Sequence, residues 1–284
     1  MTIRAKVVIP AAGTVRPSSA VRARTSAAPG KRSAMPHKPH TTTWAYGVTT
    51  VPSRLNTLLP QTLASLAAGG FERPRLFIDG TEMPDLWKRF DLEVTSRYPP
   101  LRTFANWSLA LAELWARNPL ADRYALFQDD FLCVRNLRQY LERCRFPVKG
   151  YWNLYTMPQN EGLATQPRPK EMGRWFVSNQ RGLGAVGLVF SSEGVKALLG
   201  HPDMIRKPIC PNRGWRNLDG AIVNAMSHRL GWLEHCHSPS LLQHTGIDSS
   251  MVDFAPGEPK KNQPLALSFP GERFDALTLL EKPC

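Results

Sequence analysis

The chain has 284 residues, of which 42% are hydrophobic, so it can bury a core as one large α/β domain or as two small ones. No run of residues approaches the roughly 20 apolar positions of a membrane span, and no apolar segment near the start indicates a secretory signal. Five cysteines without a CxxC pair are typical of a reducing compartment, so we expect a cytoplasmic protein, and the net charge of +13 favours anionic partners.

Much of the positive charge lies in residues 1–40, which contain eight Lys or Arg and no acid, leaving about +5 for the rest. Their Ala, Pro, Ser and Arg content predicts a disordered basic tail, which either contacts a polyanion or has no partner. Within it, residues 6–13 (KVVIPAAG) resemble the opening strand and loop of sugar-nucleotide pyrophosphorylases. A Pro- and Arg-rich stretch follows where that family needs a helix, so this interpretation is kept as an alternative.

From Thr41 onward, strand and helix patterns alternate. Strands are predicted at 43–51, 75–78, 124–127, 151–156, 185–190 and 241–244, and helices at 55–66, 104–118, 137–145, 192–199 and 219–230. Pro60 predicts a kink or a new first turn in the first helix, and Gly69-Gly70 predicts its end. We therefore expect a single α/β domain over residues 41–284, with a mostly parallel sheet flanked by helices.

Polar side chains follow several of the predicted strands. Asp79 follows the second strand, Asp129 and Asp130 follow the third, and His244 ends the last. Ligands of such sheets bind at the carboxyl ends of the strands, so we expect these side chains to converge on one site.

Asp129 and Asp130 are the residues on which the predicted chemistry depends. Two adjacent carboxylates repel each other, so a positive partner is expected beside them. Hard oxygen ligands suit Mn²⁺ or Mg²⁺, and the same ion can neutralise a diphosphate. The structural alternative is a solvated acidic turn or a helix N-cap.

The segment Phe127–Asp130 resembles the DxD-type motif of GT-A glycosyltransferases, which have a Rossmann-like fold. Residues 51–54 (VPSR), the Leu-rich helix and Gly70-Phe71 resemble the nucleotide-binding half of that fold. Residues 240–250 resemble the segment in which a His completes the metal site. The resemblance covers about residues 41–250, in the style of branching N-acetylglucosaminyltransferases and related bacterial and viral sugar transferases.

The resemblance implies a role for each matched residue. Asp130 would bind the metal directly, and His244 would be a further ligand. Asp129 would contact the donor ribose or bind the metal through water. Asp79 would meet the nucleobase or ribose, and Arg54 would lie near the nucleotide. The alternatives are a core histidine for His244, a turn residue for Asp79 and a surface arginine for Arg54.

Two further residues belong to the predicted site. Gln128 stands where many relatives have an acid, so it can hydrogen-bond a donor hydroxyl but adds no charge. Asp219 opens a predicted helix after the acceptor-side strands, and similar enzymes carry their catalytic base on such a segment. An inverting transferase needs such a base to deprotonate the acceptor hydroxyl. The structural alternative for Asp219 is a plain helix N-cap.

These residues predict a metal-dependent, inverting glycosyltransferase that moves a sugar from a nucleotide sugar, preferably a UDP-sugar, to a hydroxyl group. The acceptor is left open among a saccharide, a lipid-linked glycan, a protein side chain and DNA bearing hydroxymethylated bases, which the basic charge would suit. The alternatives are the pyrophosphorylase and a non-catalytic nucleic-acid-binding protein. The latter leaves Asp129, Asp130 and His244 unexplained.

Overall fold

The computed structural model describes residues 41–82, 91–205, 218–245 and 264–280. The predicted basic tail, with its pyrophosphorylase-like segment, lies outside these ranges, as does the end of the resemblance after residue 245. None of the helices in the described ranges has the length and apolar character that crossing a bilayer requires.

The described residues form a large central sheet and a small second one. In chain order the strands are β1 (Trp44–Thr50), β2 (Arg75–Asp79), β3 (Val94–Arg97), β4 (Arg123–Phe127), β5 (Phe131–Cys133), β6 (Gly150–Asn153), β7 (Trp175–Val177), β8 (Gly187–Ser191), β9 (Leu233–His237) and β10 (Leu242–His244). Eight strands make the central sheet in the order β3-β2-β1-β4-β8-β6-β9-β7. All of these except β7 and β8 run in one direction, which confirms the predicted mostly parallel, Rossmann-like sheet.

The helices flank this sheet. They are α1 (Leu58–Ala68), α2 (Arg102–Arg117), α3 (Leu137–Arg143), α4 (Pro158–Glu161), α5 (Ser192–Leu199), α6 (Pro202–Ile205) and α7 (Leu218–Val223), and a π-helix (Asn224–Arg229) continues α7. Pro60 lies in the first turn of α1, where its missing N–H has no intrahelical partner to lose, and Gly69 ends that helix. The hydroxyl of Ser191 caps α5 by accepting a hydrogen bond from the Gly194 N–H at 3.1 Å.

Two hydrophobic cores lie on opposite faces of the sheet. Phe127 of β4 packs in one core with Leu59 of α1, and its neighbour Leu126 packs in the other with Trp107 of α2. Successive residues of a strand point to opposite faces, so the apolar run in β4 serves both cores. The sheet is therefore covered on both sides, as predicted.

The strand that ends at His244 does not belong to the central sheet. β10 pairs antiparallel with β5, so that His244 lies opposite Phe131. The sequence predicted His244 at the edge of the main sheet. It instead reaches the same place through a two-stranded ladder that begins directly after Asp130.

Candidate functional site

Asp129 and Asp130 lie just beyond the carboxyl end of β4, and both are 3% exposed. Their backbone is held from two sides. The hydroxyl of Thr62 in α1 donates to the Asp129 carbonyl oxygen at 2.9 Å, and the Thr245 N–H donates to the Asp130 carbonyl oxygen at 2.9 Å. The carboxylates are therefore presented by a backbone that surrounding elements fix, as a preorganised site requires.

Arg54 is the cationic partner of the acidic pair. It ends the 3₁₀ turn that follows β1, and its Nη1 lies 2.5 Å from Asp129 Oδ1 and 2.7 Å from Asp130 Oδ2. The Thr50 hydroxyl donates to the other oxygen of Asp129 at 2.5 Å. The carboxylates are thus buried and paired, which differs from the solvated acidic turn that was the structural alternative.

His244 approaches the same pair from β10. Its Nε2 lies 3.3 Å from Asp130 Oδ2, and its ring lies edge-on to Tyr155 at a centroid distance of 6.4 Å. Asp130 Oδ1 is buried and has no hydrogen-bond partner among the described residues. A buried carboxylate oxygen without a partner is costly, so a ligand bound to this atom would stabilise the site.

The pKa values of Asp129 and Asp130 are shifted in opposite directions. Burial raises the pKa of Asp129, and neighbouring Asp130 raises it further, against the lowering effect of Arg54. Burial acts on Asp130 in the same sense, but His244 and Arg54 outweigh it, so the pKa of Asp130 is lowered. The surroundings therefore favour the anionic form, which is the form that binds a cation, more strongly for Asp130 than for Asp129.

The geometry fits a divalent cation that takes few protein ligands. No three His, Cys, Asp or Glu side chains within the described ranges are grouped as a metal site. Mg²⁺ and similar ions commonly use one or two carboxylates and complete their coordination with water and substrate phosphates. The unpartnered Oδ1 of Asp130 is a suitable atom for such an ion, with His244 beside it.

Asp219 and Gln128 meet at one short backbone segment. Asp219 Oδ2 accepts hydrogen bonds from the N–H groups of Gly184 at 2.6 Å and Ala185 at 3.2 Å, while Gln128 Nε2 donates to the Ala185 carbonyl at 2.9 Å. Burial raises the pKa of Asp219, against the effect of these N–H donors. A carboxyl with a raised pKa is suited to general-base work, so the position and environment of Asp219 are compatible with the predicted role.

Gly184 connects Asp219 to the acidic pair through packing. It has a φ of +80°, and a Cβ at this position would lie 2.6 Å from Cδ1 of Tyr155, the ring that also contacts His244. Only glycine adopts this conformation without strain and leaves room for the ring. The structure therefore brings together five predicted residues around the end of β4 (Arg54, Gln128, Asp129, Asp130 and His244), with Asp219 joined to them through residues 184 and 185.

Asp79 stabilises the start of α2. Its two carboxylate oxygens accept hydrogen bonds from the N–H groups of Leu101 and Arg102, each at 2.7 Å, and thereby hold the start of α2. The side chain is 6% exposed. Its contact with a nucleobase or ribose stays a prediction, because these hydrogen bonds account for both oxygens without a ligand.

We expect Asp79→Ala to lower the free energy of unfolding by about 2 kcal/mol, because a helix start loses its charged acceptor. Urea unfolding measures this, and nucleotide binding by calorimetry tests the predicted second role. Unchanged nucleotide affinity in the variant would leave Asp79 as a helix anchor alone. Unchanged stability would contradict the anchoring role.

Glu234 is a buried acid that the sequence analysis did not single out. It lies in β9, and its carboxylate accepts hydrogen bonds from Ser178 Oγ at 2.6 Å, Asn153 Nδ2 at 3.2 Å and the Tyr151 hydroxyl at 3.4 Å. Burial is the main cause that raises its pKa to about 7, and the charge of Asp219 contributes. A short segment that contains a glutamate and two histidines gave no periodic signal of a buried strand.

Glu234 makes the stability of the protein depend on pH. Its pKa is about 7 in the folded protein against 4.5 for the free side chain, so the unfolded chain loses this proton first as pH rises. Stability should therefore fall between pH 4.5 and 7, by about 3 kcal/mol, and then level off. Urea unfolding at several pH values gives the slope of the free energy of unfolding against pH. This slope should be shallower for Glu234→Gln, whereas Glu193→Gln, at an exposed position, should keep the wild-type slope. Identical slopes for all three proteins would contradict this.

No protein-family model and no curated protein matches the sequence. Among solved structures, A197 from STIV is 11% identical, with a TM-score of 0.37, over 70% of this chain and 85% of its own. GalNAc-T7 with UDP, GalNAc and Mn²⁺ is 12% identical, with a TM-score of 0.46, over 75% of this chain and 46% of its own. A Bacillus anthracis protein described as a glucose-1-phosphate thymidylyltransferase, in complex with a sucrose, is 13% identical, with a TM-score of 0.38, over 72% of this chain and 91% of its own. Similarities this low support no statement about activity, which depends on the site itself.

Proposed function

We propose that this chain is a glycosyltransferase that takes a sugar from a nucleotide sugar, preferably a UDP-sugar, and transfers it to a hydroxyl group. The observation that carries the proposal is the buried Asp129–Asp130 pair at the carboxyl end of β4, with Asp130 Oδ1 unpartnered among the described residues. Ligands of open α/β sheets bind at this edge, and the pair has the form of a diphosphate-handling metal site.

In this proposal Asp130 and His244 hold a Mn²⁺ or Mg²⁺ ion, which supplies neutralisation of the charge that builds on the leaving diphosphate. Asp129 contacts the donor ribose or binds the metal through a water molecule. Gln128 lies next to Asp129 at the carboxyl end of β4. Support comes from the 3.3 Å approach of His244 Nε2 to Asp130 Oδ2 and from the lowered pKa of Asp130.

Asp219 is the proposed base. Its carboxylate takes the proton of the acceptor hydroxyl while that oxygen attacks the anomeric carbon and the nucleotide diphosphate leaves, which inverts the anomeric configuration. The raised pKa of Asp219 and its hydrogen bonds to residues 184 and 185 support this assignment.

The acceptor is proposed as a saccharide or as DNA bearing hydroxymethylated bases. The net charge of +13, much of it in residues 1–40, favours the DNA, which is a polyanion. Binding to hydroxymethylated DNA should weaken steeply with added salt, whereas binding to a neutral saccharide should change little. A chain lacking residues 1–40 should keep donor turnover, which the pyrophosphorylase alternative does not allow.

The test is a panel of UDP-, GDP- and dTDP-sugars incubated with the purified protein, with Mn²⁺ or with EDTA, followed by measurement of released nucleotide diphosphate. The proposal predicts slow hydrolysis of one donor that requires the metal. No turnover and no thermal shift with any donor would reject the transferase and favour the non-catalytic nucleic-acid-binding protein.

A further inference from the structure

The acidic pair already has a cation of its own. One nitrogen of Arg54, Nη1, bridges Asp129 Oδ1 at 2.5 Å and Asp130 Oδ2 at 2.7 Å. All three side chains belong to buried residues, with Arg54 8% exposed. Burial lowers the pKa of this guanidinium, but the two carboxylates outweigh that effect and raise it, so Arg54 stays charged.

This arrangement limits what a free metal ion gains by binding. Of the four carboxylate oxygens, two face the guanidinium and Asp129 Oδ2 accepts the Thr50 hydroxyl. Asp130 Oδ1 is the remaining oxygen and is the one without a partner among the described residues. A divalent ion bound there lies close to the guanidinium, and two cations in a buried site repel each other strongly.

A diphosphate changes this balance of charge. It brings anionic oxygens that can pair with both the guanidinium and the divalent ion, so each cation gains a partner when the donor arrives. Metal and nucleotide should therefore strengthen each other's binding, and by linkage the enhancement is equal in both directions.

We propose that Arg54 is the resident counter-ion of the Asp129–Asp130 pair and makes binding of a divalent cation depend on the donor diphosphate. This inference rests on the proposed function, because it takes the donor to be a nucleotide diphosphate sugar. It differs from the role given to Arg54 by resemblance, which was proximity to the nucleotide.

The test measures Mn²⁺ binding directly, by the electron paramagnetic resonance signal of the free ion, with and without UDP. The wild-type protein should bind Mn²⁺ weakly alone and about tenfold or more tightly with UDP present. In Arg54→Gln, the affinity for Mn²⁺ without UDP should rise about tenfold or more, and UDP should add less. Adding Asp130→Asn to this variant should remove the gain, because it removes the ligand.

Arg75→Gln is the matched control. Arg75 is another largely buried arginine, 11% exposed, that pairs with two carboxylates, Glu93 and Glu113, at the start of β2. Its loss should leave Mn²⁺ binding unchanged. If Arg54→Gln does not fold, Arg54→Lys serves instead. Lysine keeps the positive charge but not the planar guanidinium, so Arg54→Lys should show a smaller gain in Mn²⁺ affinity than the loss of the charge would give.

Equal Mn²⁺ affinities in the wild-type protein and the Arg54 variants without UDP would overturn the inference. A gain that survives Asp130→Asn would overturn it too, because the ion would then bind elsewhere. Failure of the proposed function has a different signature. No nucleotide sugar would bind to the wild-type protein, while the Mn²⁺ comparison without UDP would still report whether Arg54 competes with the ion.

Discussion

Asp130→Asn is expected to reduce donor turnover about a thousandfold or more, because it removes the anion proposed to hold the metal that neutralises the leaving diphosphate. Asparagine keeps the shape of the side chain, and Asp129 remains as a partner of Arg54, so the fold should persist. Nucleotide diphosphate release from the donor identified in the panel measures the loss, and circular dichroism checks the fold.

Asp122→Asn is the matched control for this variant. Asp122 precedes β4, which Asp130 follows, so the two residues lie at opposite ends of one strand. Asp122 accepts hydrogen bonds from the N–H and the hydroxyl of Thr43, each at 2.8 Å. Its substitution should affect stability without affecting turnover. Full turnover in Asp130→Asn would reject the proposed metal site.

Asp219→Asn should lower turnover by about a hundredfold to ten-thousandfold, the usual contribution of a general base. The amide oxygen can still accept the N–H groups of Gly184 and Ala185, so the local structure should be retained while proton transfer is lost. Donor affinity should change little, since the residue is not placed in the nucleotide site. Stopped assays of diphosphate release, with calorimetry of donor binding, separate these effects.

Asp275→Asn provides the corresponding control. Asp275 also accepts a backbone N–H, that of Leu277 at 2.9 Å, at the start of the 3₁₀ helix Ala276–Leu279. This 3₁₀ helix packs in the hydrophobic core on the face of the sheet opposite to α7. Wild-type turnover in Asp219→Asn would leave Asp219 as a structural residue at the start of α7 and would remove the argument for inversion.

Strong local signals predicted much of the central sheet and its helices. β4 is a continuous apolar run that ends in two acids, and α5 begins directly after a serine that caps it, so each carries its own signal within a few residues. The expectation that Asp79, Asp129, Asp130 and His244 converge rested on a general property of parallel sheets, because the ends of neighbouring strands meet at one edge. The structure places His244 beside Asp130, whereas Arg54 was expected near the nucleotide only from the resemblance.

The short strands were not predictable in the same way. β3 is polar and only partly buried, β5 and β7 have three residues each, and β9 contains a glutamate and two histidines. Such segments become strands because distant parts of the chain pair with them, and local composition carries no information about the partner. The pairing of β10 with β5 was missed for this reason.

The partners of individual side chains were equally hidden. Asp79 is followed by glycine, which indicates a turn, yet its carboxylate binds backbone groups at the start of α2, more than twenty residues later in the chain. The sequence placed Arg54 near a nucleotide, whereas its bridging of both carboxylates depends on the 3₁₀ turn after β1. Side-chain hydrogen bonds of this kind follow from the tertiary fold.

The ladder of β5 and β10 also bears on how such a site can change during evolution. Asp130 and His244 are far apart along the chain but are held together by three paired residues on each strand. The loops between the two strands can gain or lose residues without changing the ladder, while a shift of one residue within the ladder would turn His244 to the opposite face. Related proteins would then share the distance between the aspartate and the histidine in space, but not the number of residues between them. A sequence motif with a fixed spacing between the acids and the histidine would therefore miss such relatives.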